Sequence, residues 1–163
     1  MKRKKTTKIG DIFAVKIDNN HQRFFQYIVS DMTMLNSSVI RVFKKEYLVT
    51  DVIDWNEVVR DEVDFYAHTI LRVGLDYDLW DLVANVPEVG DYSHIWFRRS
   101  GDSGKPQVEV SYDWDVWRIN QNFIDVGRLP KKYHNAEIGV VVSAHNVVKR
   151  IKTGKYSFKY PGF

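Results

Sequence analysis

Gly10-Asp11-Ile12-Phe13-Ala14-Val15-Lys16-Ile17, then Asp18-Asn19-Asn20, then Arg23-Phe24-Phe25-Gln26-Tyr27-Ile28-Val29-Ser30: this part of the chain reads as strand, turn, strand. Phe13, Val15 and Ile17 alternate with Ala14 and Lys16, the period of two that a half-buried strand requires. Asp and Asn bond their own backbone and accept left-handed angles, so residues 18–20 form a turn. Phe25, Tyr27 and Val29 then share one face of a second strand, and the short link makes the pair a hairpin. Ser38–Phe43, with Ile40 and Val42 against Arg41, adds a third strand. Three short strands this close predict a mostly β, α+β fold: a small curled antiparallel sheet or an SH3-like barrel with a few short helices.

Further strands are expected at 65–72, 107–117 and 137–142, beside those near 11–17, 23–30 and 38–43. The alternation is strictest at 108–117. There Val108, Val110, Tyr112, Trp114 and Val116 face one way, and Glu109, Ser111, Asp113, Asp115 and Trp117 the other. Asp54-Trp55-Asn56-Glu57 fits a capping box and predicts a short helix over 55–62. Ser143 caps a second helix through Ile151, with Val147, Val148 and Ile151 inward and Gly154 as its stop. Gly74 is expected to break the strand before it, residues 118–135 to be irregular, and Tyr156–Tyr160 to add an edge strand. Residues 1–8 read as a flexible basic tail and 9–163 as a single globular domain.

Composition excludes several chemistries. With no cysteine among 163 residues, disulfides, thiol nucleophiles and cysteine-ligated metal sites are ruled out. No apolar segment follows the basic start, so no secretion signal is read, and no apolar run is long enough to span a bilayer. A cytoplasmic location is therefore expected. The net charge of +3 conceals an uneven distribution. Residues 1–50 carry +6, 51–91 carry −9, 92–126 carry −1 and 127–163 carry +7. Either the oppositely charged segments meet inside the fold, or an acidic patch faces a basic partner.

No catalytic or cofactor motif emerges. The five histidines, at 21, 68, 94, 134 and 145, show no metal-ligand spacing. Gly101–Gly104 has no following helix, as a phosphate loop would need. Asp113 and Asp115 stand roughly 7 Å apart on one strand face, within reach of glycosidase geometry, but a solvated strand face has the same spacing. The chain is accordingly read as a non-enzyme with no cofactor and no metal. Its partner-binding residues are placed in two acid-and-aromatic groups: Asp76, Tyr77, Asp78, Trp80 and Asp81, and Asp113, Asp115 and Trp117. A nucleic-acid-binding small barrel is the alternative, supported by the basic ends and the aromatics and opposed by the acidic middle.

The run Lys8–Val15, the hairpin segment Phe25–Val29, the strand Val39–Phe43, and then Gly74 through Trp80, Val86-Pro87 and Ile95-Trp96-Phe97 resemble the immunity-protein 26 family of bacterial polymorphic toxin systems. The similarity covers residues 8–105. It departs where no glycine precedes Pro87, and nothing in it corresponds to the chain beyond Gln107. The resemblance implies a cytoplasmic protein that binds and neutralises a cognate protein toxin without catalysis of its own, and it transfers no functional residue. From the residues themselves no membrane is expected and a nucleic-acid partner is disfavoured. The Gly-Asp-Ile start is also similar to that of growth-inhibiting ribonuclease toxins built on an SH3-like barrel, whose Arg and acidic catalytic positions have no clear counterpart here.

Overall fold

The computed structural model describes residues 6–163, so the first five residues of the expected basic tail lie outside it. Strands β1 (Asp11–Lys16), β2 (His21–Asp31), β3 (Ser37–Phe43) and β4 (Tyr47–Leu48) come first. They are followed by helix α1 (Trp55–Val58), β5 (Val63–Thr69), helix α2 (Leu71–Asp76) and β6 (Asp81–Asn85). Then come β7 (Trp96–Ser100), β8 (Trp114–Arg118), β9 (Ile124–Gly127), β10 (Glu137–Ile138), β11 (Val141–Val142) and helix α3 (Ala144–Thr153). The fold is α+β and mostly β. A seven-stranded sheet runs β11-β5-β3-β2-β1-β6 with β4 beside β2, and a four-stranded sheet runs β10-β7-β8-β9.

The opening hairpin forms as its alternation predicts, with Phe13 opposite Phe25 and their rings stacked at 5.0 Å. Asp18 closes the turn, its Oδ1 accepting from Asn20 N and His21 N. On one face of the large sheet, Phe13, Phe25, Val42 and Phe65 pack with Trp80 and with Val147 and Ile151 of α3. The other face is equally apolar. Ile12, Phe24 and Phe43 meet Val58 and Val59 at one end, and Ile28 and Val39 meet Phe97 and Trp117 of the small sheet at the other. Between these two clusters Arg41, itself buried, donates to Gln26 Oε1 and to the carbonyls of Val59 and Glu88.

This double cover overturns the expected barrel. A curled sheet buries one face in its own interior, whereas a sheet apolar on both faces is sandwiched between layers. Nor is either sheet purely antiparallel, because β5 pairs β11 and β7 pairs β10 in parallel. The expected strand at 137–142 is two short pieces. It leaves the small sheet at Ile138 and joins the large one at Val141.

Other expectations shift for local reasons. Strand β8 begins only at Trp114, because the preceding residues pair elsewhere: Ser111 N donates to Gly162 O and Gly162 N to Glu109 O. The Tyr156–Tyr160 alternation makes no ladder; Tyr156 and Phe158 stack on each other at 4.9 Å and fill the core edge. Residues 118–135, expected to be irregular, contain β9 and a 3₁₀ turn at Lys131–Tyr133. The first helix stops at Val58, four residues short of the expected end, with Asp54 as its cap. Helix α3 keeps its Ser143 cap and ends at Gly154, whose φ of +84° is the left-handed geometry that glycine supplies freely.

Gly74 does not break a strand; it lies inside α2, against the face of Trp80. A Cβ there would stand 1.9 Å from Trp80 Cε2. In an open helix Gly→Ala stabilises by about 1 kcal/mol. Here the clash with a buried ring reverses the sign, and Gly74→Ala is expected to cost about 1–3 kcal/mol. Urea denaturation followed by circular dichroism measures it, and an unchanged or higher midpoint would contradict the packing. Among the described residues, no helix is long and apolar enough to cross a membrane.

Candidate partner-binding surface

The residues singled out from the sequence fall into two separate places. Asp76 ends α2 and pairs with Arg72 at 3.2 Å. Tyr77 follows, 68% exposed, with its ring edge-on to His145 at 5.9 Å. Asp78 has a φ of 53°, a conformation that Asp tolerates better than most residues. Asp81 is exposed at the start of β6, an edge of the large sheet. Asp113 and Asp115 belong instead to the small sheet and its loop. Asp113 is exposed and its N donates to Ser111 Oγ, while Asp115 is partly buried 3.5 Å from Arg99. Burial pushes the Asp115 carboxyl up; Arg99 opposes this and Asp125 adds to it, leaving the group above its ordinary value.

Both tryptophans require correction. Trp80 is 2% exposed and its indole donates to Leu71 O; Trp117 is fully buried between the sheets. The strand parity at 114–117 is as read, with Trp114 and Val116 on one face and Trp117 on the other. The error concerns the surroundings. The face taken as outward is the face turned to the large sheet, and alternation alone does not distinguish solvent from a second layer. The predicted surface therefore lacks its two large anchors.

What Trp117 reaches is a buried polar network with no sequence signature. Its Nε1 donates to Asp31 Oδ2 at 3.1 Å, His68 Nε2 lies 2.9 Å from the same oxygen, and Asn120 N donates to Asp31 Oδ1 at 3.1 Å. Asp31 and His68 are both fully buried. A carboxylate only accepts, so His68 carries its hydrogen on Nε2. Burial alone would raise the Asp31 carboxyl, but the three donors outweigh it and hold the group below its ordinary value. Sealed from solvent, the network joins β2, β5 and β8 and offers no chemistry to a substrate.

The exposed aromatic and aliphatic groups collect elsewhere. Val110, Tyr112 (61% exposed) and Phe163 (47% exposed) border a groove of about 730 Å³ whose floor holds Leu129 and Pro130. Arg128, Lys131 and His134 form its rim. The β9 turn at Gly127, φ +61°, precedes Arg128, whose guanidinium lies 5.1 Å over Tyr112. Pro130 opens the 3₁₀ turn, and its buried Tyr133 anchors Lys131 and Lys132 at the surface. The His134 ring packs against Phe163 at 4.1 Å, tilted by 33°. Sequence reasoning missed this site because it treated 118–135 as irregular and put Tyr112 on the core face. The available signals were the basic turn at 130–132 and the +7 charge of the last 37 residues.

The fold and groove define a mostly β protein with an apolar, basic concavity. Comparison with protein-family models, with curated proteins and with solved structures gave no match in any of the three. Among the described residues, no three His, Cys, Asp or Glu side chains are grouped to hold a metal ion.

Proposed function

We propose that this chain is an immunity protein that binds a cognate bacterial toxin in the cytoplasm and neutralises it by protein–protein contact. The resemblance over residues 8–105 supplies the class, and the groove supplies the structural support. Exposed aromatic and aliphatic side chains clustered in a concavity with a charged rim have the anatomy of an interface: apolar anchors at the centre and polar groups around them. The rim is basic, so the complementary toxin surface is acidic. This moves the docking face from the acidic 76–81 and 113–117 groups to the C-terminal third.

Nucleic-acid binding remains the second reading, because the same groove pairs Tyr112 with Arg128. Against it, Asp113 adjoins Tyr112 and Asp125 accepts from Gly127 N beside the rim. Carboxylates fixed there repel a continuous phosphate backbone. Co-expression with candidate toxins, beginning with any encoded beside this chain, separates the two readings. Growth is expected to be restored and a 1:1 complex to be recovered. Failure of rescue, together with tight and strongly salt-dependent binding of a random single-stranded RNA, would replace the proposal with the second reading.

A further inference from the structure

The groove beyond β9 contains a short stretch of unpaired main chain at Val110 and Tyr112. We propose that an extended segment of the protein partner binds there as an added strand, with a carboxylate of that segment beside Arg128 and Lys131. The identity of the partner rests on the toxin-docking reading; the conformation of its bound segment goes beyond that reading.

Hydrogen bonds upstream of β8 fix which way the main chain faces. Asp113 O accepts from Gly101 N at 2.9 Å, Ser111 N donates to Gly162 O at 2.9 Å, and Glu109 O accepts from Gly162 N at 2.8 Å. The odd-numbered residues therefore turn their polar main-chain groups toward residues 101 and 162. Successive residues of a strand turn theirs to opposite sides, so Val110 and Tyr112 face the side on which β9 pairs with β8. The position of Tyr112 O agrees: it lies 3.8 Å from where a Cβ on Gly127 would stand.

Strand β9 does not continue along that side. Its pairing with β8 ends at Trp114 opposite Gly127, where a φ of +61° turns the chain. Beyond it, Leu129 O lies 3.2 Å from His134 Nε2, and Pro130 has no N–H to give. Among the described residues, no hydrogen bond uses the main-chain N–H or C=O of Val110 or Tyr112. An open edge of this kind is a template for another strand. Strand addition is a recurrent way to hold an extended peptide: main-chain bonds give affinity, and side-chain pockets give specificity. Here Leu129 and Pro130 supply an apolar floor, and Arg128 and Lys131 supply the cations. A two-fold dimer across this edge would set two basic rims against each other, so the occupant is a different protein that brings a carboxylate.

The test pans the full chain against phage-displayed random peptides and follows the strongest synthetic binder by hydrogen-exchange NMR. In the free chain, the Val110 and Tyr112 amides should exchange like exposed amides, while those of Ser111 and Gly162 are protected. Enriched peptides should carry Asp or Glu among alternating apolar residues, and binding should slow exchange at Val110 and Tyr112 at least about tenfold. N-methylating the peptide one residue at a time should weaken binding about tenfold at every second position and little between, the loss expected for one main-chain hydrogen bond. These changes are made in the peptide, so no variant of the chain has to fold. Absence of enrichment, or a bound peptide that leaves both amides exchanging as in the free chain, would overturn the added strand. Protection in the free chain that grows with protein concentration would overturn it in favour of a second copy. A toxin neutralised while both amides still exchange freely would remove the strand and keep the docking reading. Peptide binding with protection, but no toxin neutralised, would keep the strand and remove that reading.

Discussion

Trp117→Ala is expected to lower the unfolding free energy by about 3–5 kcal/mol, the range for removing a fully buried aromatic side chain. Trp117 fills the space between the two sheets. It stacks on Phe97 at 5.9 Å and touches the chain where Gly139 leaves room for it. A Cβ at residue 139 would lie 2.0 Å from Trp117 Cη2, so the pocket is closed on that side and cannot relax by a simple shift. The variant also strips a donor from Asp31. Trp117→Phe should recover part of the loss, since it restores most of the ring but not the Nε1 bond. Urea denaturation followed by circular dichroism reads both, and a Trp117→Ala cost below about 1 kcal/mol would mean that the sheets are held together elsewhere.

Asp31→Asn should be comparably damaging, at about 3–5 kcal/mol, the cost of breaking a buried charged network by altering one member. One carboxylate oxygen now accepts from both His68 and Trp117, and the other from Asn120. An amide supplies one acceptor and turns two donors toward groups that are themselves donors. The network also fixes the sign of the pH dependence. The Asp31 carboxyl sits below its ordinary value of 3.8, so the folded state holds its proton less tightly than the unfolded chain does. Its contribution is therefore fully present above about pH 4 and declines as the pH falls through the folded value. Wild-type midpoints measured between about pH 3 and pH 7 should fall on the acid side, and the gap to Asp31→Asn should narrow there. A gap that widens with acid would contradict the assignment.

The legible parts of the molecule were those written in local chemistry. Phe13, Phe25 and Val42 alternate, Asp18 makes its turn and Ser143 its cap, and each acts within a few residues of itself. What escaped depends on partners far away in sequence. Whether Trp117 points to water or to a second sheet is settled by β3 and β5. Whether Gly74 breaks a strand or cushions a helix is settled by Trp80. The Asp31–His68 contact spans 37 residues, with no spacing to mark it. Of the candidate surface, Asp76, Tyr77, Asp78, Asp81 and Asp113 are exposed, whereas Asp115 is partly buried beside Arg99. The groove was hidden because its wall is a loop, a 3₁₀ turn and the last residues of the sequence, none of which carries a periodic pattern.

The toxin-binding reading is most directly tested by the calorimetric affinity of the purified chain for a toxin that it neutralises on co-expression, wild type beside Tyr112→Ala with Lys131→Glu. Both residues are exposed, so the melting temperature should hold, as for most surface substitutions. Loss of an aromatic anchor together with reversal of a rim charge should weaken the complex by about 2–4 kcal/mol, roughly thirtyfold or more. Asp76→Lys with Asp81→Lys, at the end of α2 and the start of edge strand β6 and neither lining the groove, should leave the affinity unchanged. The opposite pattern, with the groove variant binding like wild type and the acidic variant failing, would contradict the account and return the interface to the acidic edge.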